Sequence, residues 1–175
     1  DEYGGDPATR AALLLLVLTA VRPGELRGAR WEEFDEERAL WRIPADRMKM
    51  KTEHTVPLSR QALELTKTLR AGLGAGALLF PSPFYPGKPI SDGTLNSALA
   101  RLGYKGTATA HGFRTLFSTC ANEAGWNSDV IEKQLREPLA RCGEGCVLAM
   151  ESYSSSATLA YAVGRPVVVF GDGSF

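Results

Sequence analysis

At 175 residues, 44% hydrophobic and 23% charged, the chain is long enough to bury one real core, and its composition excludes a disordered or fibrous protein. The formal net charge is zero, so overall charge by itself names no polyanionic partner. The longest apolar run, Ala11 to Val21, is too short to cross a bilayer, and the opening "DEYGGDPATR" is acidic where a secretory signal is basic; a soluble, cytoplasmic protein is expected.

From Pro7 to Ala20 the leucine-rich pattern predicts a buried helix, with Asp6 as N-cap and Pro7 at the first position. "RPGELRGARW" predicts a second helix, entered at Pro23 and followed by the Arg27 to Trp31 region, with the acidic "EEFDEE" as a turn. Three short segments, "ALWRIP", "RMKMK" and "HTVPLS", carry β-branched or aromatic residues in partial alternation and predict a small antiparallel sheet. A helix over "SRQALELTKTLRAG" follows, capped by Ser59, stopped at Gly72 and given an apolar side by Leu63, Leu65 and Leu69. "GLGAGA" lacks the G-x-G-x-x-G spacing and follows no strand, so no dinucleotide site is expected there.

After the proline-rich "LLFPSPFYPGKP", Ser91 or Asp92 starts a helix through Leu102. Thr109 is placed to cap a helix that begins near His111 and runs to Gly125, and another runs from about Ser128 to Leu135. The sum is an α+β fold, mainly helical, with one small sheet. Cys120, Cys142 and Cys146 form an odd set without a disulfide framework, and the last two supply only half of a zinc site, so free thiols in a reducing compartment are expected. The chain begins at Asp1 without Met, directly before a helix, and reads as a fragment of a longer protein.

The zero net charge hides an asymmetry. Residues 1–37 carry a balance of −5, residues 38–122 one of +8, and residues 123–175 one of −3. A basic middle between acidic ends is the footprint a polyanion needs, although scattered solvated side chains give the same arithmetic.

Within this pattern, Arg22 precedes the Pro-Gly-Glu helix start, Lys49 lies between the second and third candidate strands, and His111 and Arg114 share a helix face because they are three residues apart. Cations converge at a cost unless an anion is present, and arginine forks suit phosphate oxygens. Each residue also has a purely structural explanation. Arg22 can pair with Glu25, Lys49 can be a solvated hairpin residue, and His111 can satisfy the first turn of its helix.

Three blocks, "TAVRPGELRGARW", "RMKMKTEHTVPLS" and "HGFRTLFSTCANEAGWNSDVIEKQL", resemble in order the catalytic domain of tyrosine recombinases, in particular phage-type and genomic-island integrases, over roughly Pro7 to Leu135. The resemblance implies a helical core with a three-stranded antiparallel sheet, and a catalytic domain over residues 1–135 whose N-terminal arm and core-binding domains are absent. It implies roles for Arg22 as the first catalytic arginine, Lys49 as the lysine of the sheet's turn, and His111 with Arg114 as the H-x-x-R pair. In such enzymes a tyrosine attacks a DNA phosphodiester, forming a 3′-phosphotyrosyl link and freeing a 5′-hydroxyl, with no metal or other cofactor. The arginines stabilise the phosphorane-like transition state, the lysine protonates the leaving oxygen, and the histidine assists proton movement. The implied partner is double-stranded DNA at attachment sites, with four protomers assembled on two duplexes, in the nucleoid of a bacterial cytoplasm.

After Leu135 the likeness stops. A family member continues with Ala-His and, about three helical turns later, a tyrosine; these positions fall on Glu137 and near Val147. Residues 136–175 form a divergent tail, for which three accounts stand: a gene junction that leaves a degenerate integrase, a displaced nucleophile at Tyr153 or Tyr161, or a DNA-binding module without chemistry. Tyr153 is the candidate nucleophile only because it lies a few residues past the expected place; packing or surface exposure is the structural explanation of both tyrosines.

Overall fold

The computed structural model describes residues 4–48, 51–73, 76–85 and 87–136. Helix α1, Pro7–Thr19, starts as its sequence dictates: Pro7 occupies the first turn, and the Asp6 carboxylate accepts hydrogen bonds from the Thr9 N–H and hydroxyl, both at 2.8 Å. Ala12, Leu15 and Leu16 are fully buried, and α1 packs against α2 (Pro23–Arg27), α3 (Arg60–Leu73) and α4 (Thr94–Leu99). The helix ends because Ala20 turns left-handed, at φ 52°, while its N–H still reaches the Leu16 carbonyl at 2.9 Å.

The sheet is three-stranded and antiparallel, ordered β1 (Phe34–Asp35), β2 (Leu40–Ile43), β3 (His54–Pro57). Register pairs Phe34 with Trp41 and Ile43 with His54. The expected architecture holds, but the strands differ from the sequence reading. The acidic segment read as a turn supplies β1, whose Phe34 is buried and stacks on Trp41 at 5.0 Å. "RMKMK" supplies no strand among its described residues: Ala45–Arg47 is a 3₁₀ turn and Met48 enters the core, while Lys49 and Met50 lie outside the described residues. The second helix also stops at Arg27, and Arg30 bridges instead to Leu78.

Helix α3 is capped by Ser59, whose hydroxyl accepts the Ala62 N–H at 3.2 Å, and it runs one residue past Gly72. Helix α4 continues through a π-helical turn, Ala100–Tyr104, that is kinked at Gly103 with φ 89°. Helices α5, Gly112–Glu123, and α6, Ser128–Arg136, pack on each other through a second apolar cluster that includes Phe117, Cys120, Ala121, Ile131 and Leu135, and Ala20 joins it from the end of α1. None of the described helices is long and apolar enough to cross a membrane.

Candidate DNA-phosphate site

The turn between α1 and α2 gathers the described polar residues of interest. Arg22 is the residue before Pro23 and has extended backbone, as a residue preceding proline does. Glu25, buried three residues on, holds it twice: one carboxylate oxygen accepts the Arg22 main-chain N–H at 2.9 Å, and the other accepts Nη1 at 2.7 Å. The pairing anticipated for structural reasons is therefore present, yet the Arg22 side chain remains 31% exposed. A guanidinium has five donors in a fork, so a carboxylate on one edge orients the others toward solvent.

Arg114 reaches the same turn from α5. Its Nη1 donates to the Ala20 carbonyl at 2.6 Å and its Nη2 to the Leu135 carbonyl at the end of α6. The Ala20 acceptor is expected of a cation, because a left-handed helix exit presents carbonyls without intrahelical partners. Arg114 thus staples α5 and α6 to the exit of α1, beside the Thr19 carbonyl that accepts from Gln134 at 3.3 Å. Ala20 and Arg22 are two residues apart, so their Cα atoms lie within about 7 Å, and the carbonyl that holds Arg114 belongs to the same turn as Arg22.

His111 sits immediately before α5 and is exposed. The first turn is capped by Thr109, whose hydroxyl accepts the Gly112 N–H at 3.0 Å, and the His111 side chain makes no cap bond. The structural role considered for His111 thus belongs to Thr109. The approach to His111 is fixed from α4, where the Asn96 side-chain oxygen accepts the Ala110 N–H at 2.8 Å. Lys49 and Tyr153 lie outside the described residues, as do Tyr161, Glu137, Cys142 and Cys146. Cys120 is a free thiol buried in the second cluster.

The sequence reading did not single out the ion pair beneath this turn. Arg47 donates through Nη1 to the Glu33 carboxylate and through Nη2 to the Glu25 main-chain carbonyl. Glu33 is 6% exposed, and it also accepts the Trp41 indole N–H at 2.9 Å and the Arg30 N–H at 3.3 Å. The one signal for it in sequence is a carboxylate next to Phe34 at the edge of an apolar pattern. At the other end of α2, Arg27 pairs with Asp92 and donates through Nε to the Ile90 carbonyl at 2.8 Å; burial holds its pKa below the usual arginine value.

The charge blocks also interlock. Asp35 pairs with Arg42 at 3.4 Å and Arg38 at 3.9 Å, Glu36 with Arg70 at 3.1 Å, and Glu33 with Arg47. Part of the +8 balance is therefore neutralised by the acidic block before it. Arg101 and Lys105, on the stretch that leads to His111, are exposed.

Comparison with known proteins places these observations in one family. The phage integrase family model matches residues 5–136. The chain is 47% identical to the integrase of Enterobacteria phage P4, over 76% of this chain and 34% of that protein. It is 42% identical to prophage integrase IntA of Escherichia coli K12, over 73% of this chain and 31% of that protein. It thus spans about a third of the length of these relatives. Among solved structures, the integrase from mycobacterium phage Brujita matches with a TM-score of 0.61 at 19% identity, covering 97% of this chain and 55% of that one. The Tn1549 transposon integrase, in complex with circular intermediate DNA, matches with a TM-score of 0.63 at 18% identity, covering 86% of this chain and 57% of that one. The helical core around a three-stranded antiparallel sheet is the fold of those structures, and the chain belongs to the phage integrase family.

Proposed function

We propose that this chain acts in site-specific DNA recombination, integration and excision, through strand cleavage and rejoining, with residues 1–135 as the catalytic domain and residues 136–175 as a divergent tail. The convergence of Arg22 and Arg114 on the α1–α2 turn carries the reading. Two arginine forks beside an exposed histidine form a surface for a phosphodiester, since planar guanidinium donors match phosphate oxygens. In the proposed reaction a tyrosine oxygen attacks phosphorus, the 5′-oxygen leaves with a proton from Lys49, and a 3′-phosphotyrosyl bond forms; rejoining reverses these steps with a new 5′-hydroxyl. Arg22 and Arg114 stabilise charge on the five-coordinate phosphorus and His111 assists proton movement. Tyr153 is the proposed nucleophile. Double-stranded attachment-site DNA is the proposed partner, a homo-tetramer on two duplexes the proposed assembly, and the nucleoid the proposed location.

A second reading is favoured by one observation: the family match ends at residue 136, and Glu137 and Val147 stand where the resemblance calls for histidine and, nearby, tyrosine. On it, the chain is a DNA-binding remnant without chemistry, a competitor at attachment sites. A pool of nicked suicide duplexes of randomised sequence separates the two. An SDS-stable protein–DNA adduct lost in Tyr153→Phe supports the enzyme, and one lost only in Tyr161→Phe moves the nucleophile there. Salt-sensitive binding without an adduct supports the remnant, and failure to bind duplex DNA at moderate salt refutes both.

A further inference from the structure

Arg47 is a largely enclosed cation next to the site, and nothing in the proposed reaction uses it. Its side chain is 16% exposed, and its fork ends on two acceptors of different origin, the Glu33 carboxylate from the sheet side and the main-chain carbonyl of Glu25 from α2. Glu25 is the residue that holds Arg22 by both its side chain and its backbone N–H. Helix α2 is only five residues long, too short to hold its own geometry, so a tie from outside decides where Glu25 sits.

Gly28 shows that the fold makes room for this tie. Its backbone, at φ −85° and ψ 8°, is open to any residue, so glycine is not needed there for conformation. What it supplies is space, because a Cβ on Gly28 would lie 2.9 Å from Nη2 of Arg47 and 3.3 Å from its Nε. Glu33 is itself fixed by the Trp41 indole and the Arg30 N–H. A buried ion pair is often no more stabilising than apolar side chains of the same volume; what a bidentate fork supplies is position.

Resting on the DNA-binding reading above, we propose that Arg47, seated over Gly28, is a positioning residue that sets Arg22 against the DNA phosphate through Glu25. Arg47 does not meet DNA itself; its charge is already matched by Glu33.

The test is the salt dependence of duplex DNA binding by the full chain, read as the slope of log affinity against log salt. Each phosphate contact contributes about 0.9 to that slope, and a loss of stability in a still-folded protein does not move it. Arg22→Ala is expected to flatten the slope by about 0.9. Arg47→Met flattens it by the same amount, and adding Arg47→Met to Arg22→Ala changes it no further, because coupled residues are non-additive. Gly28→Ala removes no charge and flattens the slope as Arg47→Met does, which keeps the test decisive if Arg47→Met fails to fold. Arg47→Lys, with the charge but without a fork for two acceptors, does not restore the slope. Wild-type slopes in Gly28→Ala and Arg47→Met, or slope losses that add to that of Arg22→Ala, overturn the inference alone. A wild-type chain that binds no duplex DNA overturns the DNA-binding reading and this inference together.

Discussion

Replacing Arg114 with methionine separates its structural work from its proposed chemistry. The substitution keeps an unbranched apolar stem in α5 and removes the hydrogen bonds to Ala20 and Leu135, the first at 2.6 Å. A hydrogen bond from a charged donor contributes about 1.5–3 kcal/mol net when its acceptor is otherwise dry. Ala20 is 1% exposed, so its carbonyl finds no water in exchange, and Leu135 is 9% exposed. Arg114 is itself half-buried, which reduces the sum, and a loss of about 2 kcal/mol is expected for Arg114→Met. Arg114→Lys reaches one carbonyl and loses about half as much. Urea unfolding of the full chain measures the total, and amide hydrogen exchange locates it: protection should fall first along α6, which is attached through the Ile131 and Leu135 cluster and this staple. A change under about 0.5 kcal/mol, the range of ordinary surface substitutions, refutes the staple, as does exchange that rises uniformly instead of along α5 and α6.

Three further outcomes follow from the packing. Asp6→Ala removes the acceptor of two hydrogen bonds at the start of α1 and should cost about 1 kcal/mol in thermal or urea unfolding; a neutral result would mean that Pro7 alone sets the helix start. Leu15→Ala empties a fully buried position in the main core and should cost about 2–5 kcal/mol in urea unfolding, an estimate that a loss below 1 kcal/mol would contradict. Glu33→Ala strands Arg47 and should cost about 3–5 kcal/mol, while Glu33→Leu combined with Arg47→Met recovers much of it; the same denaturation curves refute this if the double variant is as unstable as the single one.

Where the signal was local, the sequence was readable. Asp6 with Pro7, Ser59 and Thr109 each act within three or four residues of themselves, and each caps the helix it was expected to cap. The pairing of Arg22 with Glu25 was readable for the same reason. Strand β1 was not, because two residues carry no period, and the acidic "EEFDEE" resembles a turn until Phe34 is seen stacked on Trp41. In "RMKMK" the described residues depart from a pleat, because Met48 is drawn into the core while Arg47 is drawn across to Glu33 and Glu25. Arg114 illustrates the other limit. Its spacing from His111 is visible in sequence, but its carbonyl partners are 94 and 21 residues away, and only tertiary packing brings them together. Block charges likewise overstated the free positive surface, since Asp35 and Glu36 fold back onto Arg38, Arg42 and Arg70.

The central claim is that the α1–α2 turn and the start of α5 form a phosphate-binding surface for duplex DNA. Its most direct measurement is the affinity of the full chain for duplex DNA of arbitrary sequence across a salt series. With Arg22, Arg114 and Lys49 gathered on one phosphate, log affinity should fall against log salt with a slope of about −0.9 or steeper, and Arg22→Ala should make it shallower. Absence of binding at moderate salt, or an affinity indifferent to salt and to Arg22→Ala, would contradict the claim.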